Sequence, residues 1–141
     1  MKTWSIKRSR TLNYVDQVIF GNQKTKVAID KLLSDSPSPP IILLQGDEGP
    51  WPIRFELEEE TFNWKQASVA ELKEKMRILN AYYLPQVDKS VLYPSISPVN
   101  SFRVIFNLYF GEHFELLPDE SYAFLDYSHL YQFFNVTDKL R

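Results

Sequence analysis

Between Thr11 and Leu33 apolar residues recur at helical intervals. Val15, Val18, Ile19, Ile29, Leu32 and Leu33 fall on one face of a 3.6-period helix. Gly21 weakens its middle by about 1 kcal/mol relative to alanine. The helix ends in Ser34-Asp35-Ser36-Pro37-Ser38-Pro39-Pro40, because proline cannot continue it. The ten residues before it carry Lys2, Lys7, Arg8 and Arg10. They read as a basic, poorly ordered arm or an interrupted element. The pattern therefore divides the chain into an arm, 1–10, and one domain, 11–141.

The periodicity then changes. Ile41 to Gln45 is short, branched and apolar on both faces, the pattern of a central parallel strand covered by helices. A loop with two glycines and two prolines follows, Gly46 to Pro52. Residues 53–67 are acidic and read as a solvated flap. Ser68-Val69-Ala70-Glu71 is a capping box, and the helix it opens runs to about Met76 with a Glu71–Lys75 pair. Ile78 to Leu84 reads as a second strand, stopped by Pro85. Ser97-Pro98 opens a further helix with the apolar stripe Phe102, Ile105, Phe106 and Tyr109, closed by Gly111. Ser121–Leu125 and Gln132–Val136 read as short strands. Helices alternating with strands predict an α/β fold: a partial, mainly parallel sheet with helices packed on it.

Composition narrows the options. The 141 residues are 44% hydrophobic and 24% charged, values of an ordinary globular chain. The net charge of −2 lacks the basic excess of a generic polyanion binder, so no nucleic-acid partner is expected. The absence of cysteine excludes disulfides, thiolate metal sites and a cysteine nucleophile. No apolar run is long enough to cross a membrane, and no export signal is recognisable. Aromatic residues reach 15% and concentrate late, from Tyr93 to Phe134. Few Lys or Arg residues interleave with them, so core packing is expected rather than base stacking.

The strongest chemical candidate is the pair Asp47 and Glu48, in the glycine-flanked loop after the apolar strand. In open α/β sheets, ligands bind beyond the carboxyl ends of strands. Two carboxylates there can offer oxygen ligands to a hard divalent cation. Side chains of adjacent residues diverge, so the pair is not a complete site. The alternative is two solvated turn residues, with Asp47 bonding its own backbone. His113 and His129 have no metal-motif spacing, and no phosphate loop or nucleophile elbow is present.

Several segments in order resemble a known family. They are Asn13 to Gln17, Pro39 to Asp47, Ile78 to Pro85, Tyr93 to Arg103 and Tyr109-Phe110-Gly111. Together they resemble the C-terminal part of the sulfatase-like branch of the alkaline phosphatase superfamily. The likeness is greatest to bacterial membrane proteins akin to lipoteichoic acid synthases. The resemblance implies that Asp47 matches the aspartate of the family's Asp-His-Gly metal loop, with Glu48 in place of the histidine. An oxygen-only pair implies Mg²⁺, Mn²⁺ or Ca²⁺ rather than zinc.

The family's nucleophile and remaining metal ligands lie upstream of the resembled part. The resemblance therefore implies a fragment or degenerate relative of a metal-dependent ester hydrolase or transferase, inactive alone, whose parents place the domain outside the cytoplasmic membrane. The alternative is an interaction module. An uncovered strand, Ile41 to Leu44, would pair with a second copy or with a separate N-terminal half.

Overall fold

The computed structural model describes the backbone of residues 2–141 and the side chains of residues 12–141. The chain forms two compact units, one up to Ile41 and the other Ile42–Arg141.

The first unit is a single helix, α1 (Lys2–Asp35). It begins well before Thr11, inside the segment read as an arm. No break occurs at Gly21, because a glycine inside a helix costs entropy without forcing a bend. The helix stops where Pro37, Pro39 and Pro40 remove its donors.

The second unit runs β1 (Ile42–Gln45), α2 (Ile53–Leu57), α3 (Val69–Met76), β2 (Asn80–Tyr83), α4 (Pro98–Tyr109), β3 (Tyr122–Phe124), β4 (Phe133–Asn135) and α5 (Thr137–Leu140). The expected mainly parallel sheet does not form. The strands make two antiparallel pairs instead, β1 with β2 and β3 with β4. The cause lies in α3. The Gly49 amide donates to the Lys75 carbonyl at 2.7 Å, which pins the loop leaving β1 to the end of α3. Only Arg77–Leu79 then separate that point from β2. The chain must enter β2 beside the exit of β1, and the pair is antiparallel. All four β1 residues are half-buried rather than covered on both faces. A short apolar run cannot by itself distinguish these two situations.

The core is also not where composition places it. Residues 53–67 are no solvated flap: Phe55, Phe62, Trp64 and Ala67 are buried, and with Leu72, Ala123 and Val136 they form the main cluster. Phe55 and Phe62 meet edge to face at 5.2 Å, as do Phe62 and Trp64 at 5.0 Å. The Trp64 amide donates to the Leu125 carbonyl, tying this segment to the C-terminal strands. Glu58, Glu59 and Glu60 face solvent between the buried rings. The acidic residues of that stretch mark its surface, and the rings between them carry the larger burial energy.

The capping box is present: Ser68 Oγ accepts from the Glu71 amide and Glu71 reaches back to the Ser68 amide. The predicted Glu71–Lys75 pair is not, because both side chains find tertiary partners. Arg54 donates to Glu71 from Nε at 2.8 Å and from Nη2 at 3.1 Å. In α4 the buried residues are Asn100, Ser101, Val104 and Ile105. Of the expected stripe Ile105 is buried and Tyr109 half-buried, its hydroxyl donating to the Pro85 carbonyl, whereas Phe102 and Phe106 face solvent. Gly111 adopts φ +71°, the left-handed conformation that ends a helix.

Candidate functional site

The loop after β1 is built by close approach. The Gly46 amide continues the ladder by donating to the Leu79 carbonyl at 2.9 Å. At Gly49 a Cβ would stand 2.0 Å from the Glu74 carbonyl oxygen, so only glycine fits. This brings Glu48 onto the side chain of Lys75, with Nζ and Oε2 2.6 Å apart. Lys75 is buried along its length, and its ammonium also lies 3.2 Å from the centroid of Trp51. The long stem accounts for this: its methylenes pack while the charged end finds a carboxylate and a ring face.

Asp47 and Glu48 are both exposed. Asp47 Oδ1 accepts from the Glu48 amide at 2.8 Å, a local turn bond. The two predicted carboxylates thus serve different partners, one its own backbone and the other an ammonium. Among the described residues no group of three or more His, Asp or Glu side chains converges to hold a metal ion. His113 is exposed, and His129 Nδ1 lies 2.7 Å from Asp126 on a separate turn.

A second polar cluster escaped the sequence reading. Asp119 accepts from the Tyr93 hydroxyl, from both the amide and the hydroxyl of Ser97, and from Asn100 Nδ2 at 3.1 Å. Burial alone would raise its pKa; the donors from Ser97, Tyr93 and Asn100 outweigh it and hold the carboxyl below its usual value. Burial first, then the bond to Asp119, raises the Tyr93 hydroxyl. Next to this cluster, Tyr82 shares a short bond with the Ser101 hydroxyl, and Gln45 donates to Ser101 and Asn80. The cluster borders an open cleft of about 820 Å³ that also meets Arg77 and Arg141.

The cationic side chains beside the cleft bond to backbone carbonyls of the chain. Arg77 donates to the Leu140 carbonyl at 2.9 Å, and Lys73 to the Arg141 carbonyl at 3.1 Å. These bonds anchor α5 on α3. Asn100 and Asn107 act on the segment after α4 in the same way. Asn100 pairs with both the amide and the carbonyl of Leu117, and Asn107 does so with Phe114. Arg103 adds a bond to the Glu115 carbonyl. Side chains one and two turns apart on the helix thereby hold an extended strap, as a neighbouring strand would. Asparagine at a seven-residue spacing was the available signal.

The surfaces are less complete than the interior. Phe102, Phe106, Phe110 and Phe114 form a chain of exposed rings about one face of α4, with neighbouring centroids 5.7–6.1 Å apart. On α1, Leu12, Val15, Val18, Ile19, Leu32 and Leu33 are exposed along one side of the helix, and Phe20 and Val27 are exposed on another. Among the described residues no helix is long and apolar enough to cross a membrane. No family model, curated protein or solved structure matches the chain.

Proposed function

We propose that this chain is an assembly module without catalysis of its own, which associates with a second copy through α1. The observation that carries this reading is the apolar stripe of α1. A helix in water draws most of its stability from packing an apolar face, and the described apolar residues of this face are largely exposed. The polar cluster around Asp119 supports the same reading. Asp119, Tyr93, Ser97 and Asn100 bond one another, and the candidate metal carboxylates are taken up by the Glu48 amide and by Lys75. The contact surface favoured here is α1 rather than the strand Ile41–Leu44. That strand is already paired along one edge with β2.

The test is the solution mass of the full chain across a wide concentration range, by light scattering or sedimentation. The expected result is a reversible dimer of twice 16.6 kDa. Ile19→Asp, which places a charge on the stripe, returns it to monomer without changing the fold of the second unit. A monomer at every concentration rejects the reading.

A further inference from the structure

Resting on that reading, we infer that two copies pair α1 against α1 in antiparallel orientation, with Asn22 of each helix beside Lys26 of the other. The stripe has a regular internal order. Leu12, Val15, Ile19, Asn22, Lys26, Ile29 and Leu33 are spaced alternately by three and four residues, the repeat of a two-helix seam. Two polar residues, Asn22 and Lys26, sit in the middle of it, with apolar residues on both sides.

Orientation follows from those two residues. In a parallel pair each residue meets its own copy. Lys26 would face Lys26 in the seam, and the basic segments 2–10 of the two copies would lie at the same end of the pair. Like charges in a seam select against that arrangement. In an antiparallel pair Val15 meets Leu33, Ile19 meets Ile29, and Asn22 meets Lys26. Apolar then packs on apolar at both ends. The two central layers each join an ammonium donor to an amide oxygen. The basic segments lie at opposite ends, and the helix dipoles oppose. A one-heptad slip puts Lys26 beside Val15, so the polar layers also fix the register.

A seam of one two-helix pair is small beside obligate interfaces, so the pair is reversible rather than obligate. Lys26 is not withdrawn from this role: its ammonium reaches its own Asp30 on the helix surface, and both groups remain largely exposed.

The chain has no cysteine, so single cysteines report contacts cleanly. Val15→Cys and Leu33→Cys full-length chains are mixed in a glutathione redox buffer. The expected product is the mixed Val15–Leu33 disulfide, at least tenfold over either self-disulfide. A dominant Val15 self-disulfide overturns the antiparallel pairing while leaving the assembly reading intact, and a monomer by mass overturns both. Asn22→Glu gives an independent answer without oxidation. Facing Lys26 it should tighten the dimer severalfold, whereas facing its own copy it would weaken it tenfold or more and reject the orientation.

Discussion

Gly49 faces the carbonyl of Glu74 so closely that one added carbon would stand 2.0 Å from the oxygen. Both neighbours are backbone, so neither can swing away. Gly49→Ala should cost at least about 2 kcal/mol of stability, read from the urea midpoint. Glu71 is a second residue of this weight. The Arg54 hydrogen bond, with support from Ser68, pulls its pKa down from 4.5 to about 2. A depressed carboxyl contributes stability that is complete above the unfolded value and is lost as pH falls from about 4.5 through 2. Glu71→Gln should therefore lose about 1–2 kcal/mol at pH 7. Its stability curve should also be flatter below pH 5 than that of the unaltered chain, measured by denaturation at each pH. Of these two residues the sequence disclosed only half. The capping role of Glu71 is local and follows from a three-residue spacing. Its bond to Arg54 joins positions 17 apart, and nothing in the local pattern marks it.

Among the elements, α4 shows what a helical stripe can and cannot reveal. Its start at Pro98 and its end at Gly111 were legible, because proline at a first turn and glycine past a last one are local chemistry, but Ser97 is no side-chain cap and gives its hydroxyl to Asp119 instead. Its inward face was not. Buried asparagine and serine look polar in a sequence, yet Asn100 and Ser101 are fully enclosed because their hydrogen bonds are met. Phe102 and Phe106 look like core and face outward. Asn100→Ala leaves the amide and carbonyl of Leu117 without partners and should cost about 2–4 kcal/mol. The same variant should release the Leu117 amide to rapid hydrogen exchange. The strands follow a similar logic. β3 and β4 were readable from their position and length, whereas the direction of β2 was not. That direction depends on where α3 ends relative to Gly49, a tertiary fact. The alternation of helices and strands carried an expected parallel sheet with it, and the two antiparallel pairs replace that sheet.

For the molecule as a whole, charge is divided unequally. Residues 1–41 carry seven Lys or Arg against three Asp, a net +4, and residues 42–141 carry nine against fifteen, a net −6. The overall −2 conceals both. The units also differ in what protects them. The second has an aromatic core, while α1 has exposed side chains along nearly all of its described length. Limited trypsin treatment should therefore cut first at Lys24, Lys26 and Lys31, leaving the second unit intact. Raising the chain concentration into the dimer range should slow those cuts severalfold, followed by mass spectrometry of the fragments.

The β1–β2 pair sets an order in time. It joins Gln45 to Asn80 and encloses residues 46–79, which supply Phe55, Phe62, Trp64 and Leu72 to the core. Bringing the strands together while that segment is still a free loop costs the entropy of a long closure; after it has collapsed the gap is short. The aromatic cluster should thus form early in folding and the strand pair late. Phe62→Leu should slow refolding, whereas Leu43→Ala should mainly quicken unfolding, as stopped-flow rates in urea will show.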